Sequence, residues 1–429
     1  MRSRTRTIAI LIAFASLLIF TAALACAQQR RPTWGQILIV GGHYDNTAEL
    51  YDPVSNRFAP EPSTPRMKDR GRSTATLLVT GPNAGKVLIA GGDNRNNVAR
   101  ASTELYDPAT NTVVPGPAMH TPRSGHFAAV IGYGPNAGKI LIAGGLNAEN
   151  ETLSSTELYD PAANAFLPGP RMAATCALCP VTVIRSGKNA GKMLISGYYD
   201  PHSGGGQTEL YDPATNKFLA GPKTKMLLVY TATTIPSGKN ADKILIVGAV
   251  DVASVKDVAL TELYDPTANK FVPGPAMREI REDHTATVIT SGPNSGKILI
   301  AGGEHSNSGT RGGGASLAST ELYDPGTNSF APGPPMNTPR VAHTATVIRS
   351  GKNAGKILIA GGIQKDVDKD GRGILVTLSS TELYDPVTNK FAPPADTPKM
   401  NEPRFDTVAV QLPPAPPTTG RLSRVRKNG

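Results

Sequence analysis

Cysteine is almost missing from this sequence of 429 residues, with only Cys26, Cys176 and Cys179 present. So few thiols exclude a disulfide framework, and the fold must rest on its core. Aromatic residues make up 5% of the chain, with one Trp, Trp34. Most Tyr and Phe recur at fixed places in a repeat, which leaves Tyr44, Tyr133, Tyr198, Tyr199 and Tyr230 as free faces for stacking on sugars. No helical period of useful length occurs after residue 28, so the chain reads as all-β. Acids are missing from both ends. Residues 1–31 carry Arg2, Arg4, Arg6, Arg30 and Arg31, and residues 413–429 carry Arg421, Arg424, Arg426 and Lys427, with no Asp or Glu in either. These nine account for most of the net charge of +10. The near-neutral body excludes a broad nucleic-acid face, and the basic C-terminal tail reads as solvated.

The N-terminus has the form of a secretory signal. A basic Arg2, Arg4, Arg6 region precedes an apolar run from Ile8 to Ala25, and Ala25-Cys26-Ala27 supplies small residues at the spacing of a cleavage site. The rival is a retained anchor, because 18 residues just span a bilayer. Acylation of Cys26 as a lipoprotein fits less well, since Leu24 sits one place off the usual pattern. Cleavage near Ala27 predicts a secreted or periplasmic monomer with no membrane attachment.

The body is a repeat. Ile-Leu-Ile-Ala-Gly-Gly or a close variant begins at Ile37, Val87, Ile140, Met193, Ile244, Ile298 and Ile357. Each copy is followed by Glu-Leu-Tyr-Asp-Pro, with the acid at Glu49, Glu104, Glu157, Glu209, Glu262, Glu321 and Glu382. From Gly41 to Gly361 the period is about 53 residues, a length typical of one propeller blade. One copy holds four strand-like runs, Arg340–Ile348, Lys356–Ala360, Thr381–Asp385 and Asn389–Ala392. Four strands in seven copies predict a seven-bladed β-propeller of four-stranded antiparallel blades. The first copy lacks its first strand, and the unpaired run Arg404–Leu412 matches it. The C-terminal strand is therefore expected to close the first blade as its innermost strand, which removes both edges of the ring. The segments read as a signal peptide (1–27), a short linker (28–33), the propeller (34–412) and a Pro-rich basic tail (413–429) expected to be disordered.

Ser350-Gly-Lys-Asn-Ala-Gly-Lys356 recurs between the first and second strands. It suggests a phosphate loop but has the wrong spacing, no following Ser or Thr, and a strand behind it, so it reads as a hairpin turn.

The double Gly, the Tyr-Asp-Pro and the aromatic of the fourth strand resemble the kelch-repeat proteins, in the form exported by bacteria. The resemblance covers residues 34–412. It implies the propeller fold shared with galactose oxidase, and often a protein partner held at the start of the inner strands and in the loops between strands two and three. Phe58, Phe166, Phe218, Phe271, Phe330 and Phe391 stand where that family has Trp, with Val113 in the second copy. The double Gly becomes Gly197-Tyr198 in the fourth copy and Gly248-Ala249 in the fifth.

Aligning the first strands gives two columns. The first holds Arg70, Arg123, Cys176, Leu227, Arg281, Arg340 and Arg404. The second, three residues on, holds Ser73, His126, Cys179, Tyr230, His284, His343 and Thr407. The five Arg, with Tyr230, are candidate ligand or partner contacts at an anion-binding mouth. The opposing reading pairs each Arg with the recurrent Glu, which cannot sit buried and unpaired. Three His suggest zinc or copper, against which stands a neutral, hydrogen-bonded structural role. In an extended strand Cys176 and Cys179 are about 10 Å apart, too far for a disulfide. They are then two buried thiols, or oxidised through a local bulge beside Pro180. Asp366, Asp368 and Asp370, followed by Gly371, have calcium-loop spacing, but Thr377 stands where the bidentate Glu belongs. No cofactor is expected, with calcium at this loop as the alternative to a solvated polar turn.

No catalytic constellation emerges, neither paired copper ligands nor a Tyr–Cys pair. The sequence thus reads as a non-enzymatic binding scaffold for a protein or extracellular polymer, with no nucleic-acid partner. An enzyme at the channel mouth, galactose oxidase-like or other, and a carbohydrate-binding module are the alternatives.

Overall fold

Each Ile-Leu-Ile-Ala run forms a strand buried on both faces, and that determines everything around it. A computed structural model describes residues 32–42, 46–61, 63–200, 205–251, 259–305, 314–367 and 373–416. The signal, part of the linker, most of the tail, Tyr44, Asp368 and Asp370 lie outside the described residues. In the first blade Ile37, Leu38, Ile39 and Val40 are all at most 1% exposed. Leu38 and Val40 pack with Val87, Ile89 and Tyr106 of the second blade. Ile37 and Ile39 face the other way, onto Ile348, Leu358 and Leu383 of the seventh. Alternate residues of one strand thus serve two interblade cores, which is why the run is continuously apolar rather than alternating. Each such side chain contributes about 1.5–3 kcal/mol by leaving water.

Seven four-stranded antiparallel sheets result. From inside out, the second blade runs Thr74–Leu77, Val87–Ala90, Thr103–Asp107 and Thr112–Pro115. The first is assembled from both ends of the described chain, with Val408–Gln411 innermost, then Ile37–Val40, Glu49–Asp52 and Arg57–Phe58. Its joint is an antiparallel register of Ile37 with Gln411, Leu38 with Val410, Ile39 with Ala409 and Val40 with Val408. The fourth-strand Phe packs on the buried Tyr of the third strand, as Tyr51 on Phe58 with ring centroids 5.5 Å apart.

The Gly-Lys-Asn-Ala-Gly-Lys segments are hairpin turns that also join blades. A Cβ on Gly351 would stand 2.2 Å from the Pro53 carbonyl oxygen of the first blade, and the residue has φ of +73°, so only Gly fits. Asn353 Nδ2 donates to Tyr51 Oη at 3.3 Å and to Asn56 Oδ1 at 2.8 Å across the same seam. Lys356 meets Asp385 of its own blade at 3.3 Å. The residues that mimic a phosphate loop are therefore used for turn geometry and blade docking.

Inner strands begin later than the sequence pattern predicts. The run expected as Arg340–Ile348 is a strand only over Thr344–Val347. Ala342 before it has φ of +55°, and Arg72, Leu178, Asp283 and Asp406 at the equivalent positions lie between +48° and +57°. This left-handed turn, invisible in an alternating pattern, sends the three residues around it in different directions.

Candidate binding site at the channel mouth

The first column of the alignment faces away from the channel. Arg70, Arg123, Arg281, Arg340 and Arg404 are at most 1% exposed. Each reaches along its own blade to the recurrent acid. The pairs are Arg70–Glu104 at 2.8 Å, Arg123–Glu157 at 3.4 Å, Arg281–Glu321 at 3.4 Å, Arg340–Glu382 at 3.2 Å and Arg404–Glu49 at 3.6 Å. Arg123 also donates to the carbonyls of Gly144 at 3.0 Å and Ser155 at 2.8 Å. Glu157 in turn accepts the backbone N–H groups of His120 and Thr121 at 2.8 and 3.0 Å, which fixes the chain arriving from the preceding blade. The five guanidiniums expected at an anion-binding mouth are closed to solvent and act as clamps between strands.

Glu209 and Glu262 have no such Arg, because Cys176 and Leu227 replace it. Glu262 accepts the Thr224 hydroxyl and the Lys225 N–H instead. Glu209 accepts the Ala173 N–H at 2.6 Å, while its Oε2 has no partner among the described residues. Burial therefore pushes its carboxyl above the ordinary value, against the backbone amides of Ala173 and Ala174. A raised carboxyl pKa means the folded state prefers the protonated acid, so stability falls as pH rises through that pKa. Glu209→Gln removes the buried charge and is expected to raise the unfolding free energy at pH 7 by roughly 1–3 kcal/mol. The gain should narrow below about pH 4, near the unfolded carboxyl pKa; urea unfolding at both pH values measures it.

The second column makes a partial ring of ties between blades. His126 Nε2 meets Thr74 Oγ1 at 2.9 Å, His284 meets Thr231 at 3.1 Å and His343 meets Thr285 at 3.0 Å. Burial, assisted by the nearby arginines, pushes all three imidazoles down to about 3. No group of three His, Cys, Asp or Glu able to hold a metal occurs among the described residues. As pH falls below about 6.5 the unfolded chain gains three protons that the folded chain refuses, so stability is lost. His126→Gln is expected to reduce the loss between pH 6.5 and 5 by about one third, read as the slope of unfolding free energy against pH.

In the fourth blade the left-handed turn brings the Cys176 and Cys179 Cα atoms to 6.0 Å, and the two are disulfide-bonded. The 10 Å spacing expected of a straight strand does not apply, since Leu178 between them has φ of +57°. Of the two readings left open, oxidation through a local bulge is the one present.

The position between the two columns lines the channel mouth, together with Tyr230, His284, His343 and Thr407 of the second column. Ala342 donates its N–H to the carbonyl of Asp283 at 3.2 Å and Asp406 donates to Ala342 at 3.1 Å. Arg72 donates to Asp406 at 3.2 Å, Gly125 to Arg72 at 2.9 Å and Leu178 to Gly125 at 2.7 Å. This backbone belt runs from the sixth blade through the seventh and the first to the fourth. It holds non-glycine residues in a conformation that costs about 1–2 kcal/mol each. The fifth blade interrupts it: Met226–Thr234 there is one long strand, and Tyr230 fills the gap.

The loss of the double Gly explains the interruption. Elsewhere the second Gly bonds the next blade, as Gly92 N–H to the Arg123 carbonyl at 2.8 Å. Where Tyr198 or Ala249 follows instead, the strands run on, as Met193–Asp200 and Ile244–Asp251.

Belt side chains therefore surround a cavity of about 590 Å³. Arg72, Leu178, Tyr230, Asp283, Asp406 and Lys365 supply its walls. Arg72 is paired with Asp93, and Lys365 with the buried Glu304. Tyr230 thus lies where a ligand contact was expected, while the five Arg do not. The belt was missed because its position looks random among copies, holding Arg, Gly, Leu, Val, Asp, Ala and Asp. That irregularity between two regular columns was itself the available signal.

The long loops between strands two and three in the sixth and seventh blades form hairpins beside the mouth. In the seventh, Ile363–Val367 pairs with Gly373–Thr377. Asp366 lies opposite Ile374, and Thr377 opposite Ile363. The first and twelfth places of a calcium loop would have to converge on one ion. Here the ladder holds Asp366 and Thr377 three pairs apart, and Asp368 and Asp370 lie outside the described residues.

No protein-family model matches the chain. Human Kelch-like protein 33 is 35% identical over 77 residues, 18% of this chain. This chain covers 13% of that protein's length. The solved structure of YjhT is 13% identical with a TM-score of 0.49, covering 75% of this chain and 97% of that one. With the Glu-Leu-Tyr-Asp-Pro repeat folding seven times into one four-stranded blade, this chain is a seven-bladed β-propeller whose repeat resembles that of the kelch proteins.

Proposed function

We propose that this propeller is an exported, non-enzymatic interaction scaffold that holds a segment of a partner protein in the channel mouth. The observation that carries the reading is the backbone belt, which rigidly presents variable side chains while every recurrent residue is used by the fold. Preorganised, sequence-variable positions on a constant frame are where recognition resides. Asp283, Asp406, the half-exposed Leu178 and the Tyr230 ring stand at the mouth. That set suits a segment bearing a basic side chain next to an apolar one. The basic and apolar N-terminal run, Arg2 to Ala27, supports export.

Selection from a displayed peptide library against the full chain tests this. Basic-apolar peptides are expected to be enriched, and their affinity should fall at least tenfold against the Asp406→Lys, Tyr230→Ala variant. Peptides that bind wild type and variant equally contradict the assignment of the mouth.

A further inference from the structure

The opposite end of the channel carries its own cavity, of about 740 Å³. It is built where the inner strands of the fourth to seventh blades end and their hairpins begin. Its walls include Arg185, Thr234, Thr287, Thr290, Ser291 and Arg349. No acid lines it. Arg185 follows the buried Ile184 of the fourth blade, and Arg349 follows the buried Ile348 of the seventh. Two blades lie between them, so the two arginines line separate sides of the cavity. Both are exposed, and neither has an ionic or hydrogen-bonding partner among the described residues.

This position is not fixed by the repeat. Val79, Gly132, Pro236, Thr290 and Pro413 occupy it in the other blades. The clamps and hairpins explain the recurrent arginines and lysines, but no structural role absorbs Arg185 or Arg349. The surrounding hydroxyls are the donors that complement a guanidinium around an oxoanion, and Arg is the side chain best shaped for bidentate recognition of carboxylate or phosphate.

We infer that this end of the channel is a binding site for a small ligand carrying two or more oxoanion groups, one held by Arg185 and another by Arg349. Carboxylates and phosphates share this chemistry. The site is independent of the partner site at the mouth.

Isothermal titration of the full chain at low ionic strength, with tricarballylate and with pyrophosphate as probes, tests the inference and separates the two sources. Saturable binding of at least one probe is expected, weakened fivefold or more by Arg185→Gln or Arg349→Gln. The double variant should show none. Both side chains are exposed, so the melting temperature should not move. The Asp406→Lys variant at the mouth should bind the probe as wild type does. No saturable binding of either probe, or undiminished binding by the double variant, overturns the site.

Discussion

A chain ending at Met400 is expected to lose cooperative unfolding altogether. The deletion removes Val408–Gln411, the innermost strand of the first blade, and with it four register pairs against Ile37–Val40. It also removes Arg404, the clamp for Glu49, which is then left buried without its guanidinium. The belt loses Asp406, which links Ala342 to Arg72 across the seam. The exposed edge of Ile37–Val40 then becomes a template for pairing between chains. Circular dichroism melting should show a broad, low-temperature transition with aggregation. A chain ending at Pro416 should melt like the full chain, since everything described in the closure is retained. Unchanged melting of the shorter chain would refute closure by the C-terminal strand.

The clamps come next in size. Arg123→Met leaves Glu157, 2% exposed, without its counter-charge. Breaking a buried ion pair by removing one partner costs about 3–5 kcal/mol, whereas replacing both can be nearly neutral. Arg123→Met is therefore expected to destabilise by that amount in urea, and adding Glu157→Gln should recover most of the loss. In Arg123→Met, Glu157 keeps the N–H groups of His120 and Thr121 and the His120 ring at 2.9 Å, and in the double variant the Gln oxygen accepts from one of these N–H groups. The fourth blade gives the comparison: Glu209, which has no Arg, has its carboxyl pushed above the ordinary value by burial. A double variant no more stable than Arg123→Met would show that the pair acts through packing and not through charge.

The blades, their count and their closure were legible in the sequence because the second strand is buried on both faces, and such runs repeat without ambiguity. Ile37–Val40 and Ile357–Ala360 show it directly. The pairing of Arg with Glu was legible too, since seven recurrent acids demanded an explanation. The direction of each mouth residue was not legible. One left-handed residue, such as Ala342, reverses the alternation that strand patterns assume, and only its φ of +55° reveals this. The same turn hid the Cys176–Cys179 bond. The residues most prominent by repetition turned out to be interior, and the irregular position between them faces the channel.

Native-state hydrogen exchange measures the central claim, a single ring whose two chain ends share one blade, most directly. Amides of Ile37–Val40 and of Val408–Gln411 should exchange with the same free energy, equal to that of global unfolding, because neither strand can leave without opening the ring. Exchange of Val408–Gln411 at a markedly lower free energy, with Ile37–Val40 still protected, would contradict it.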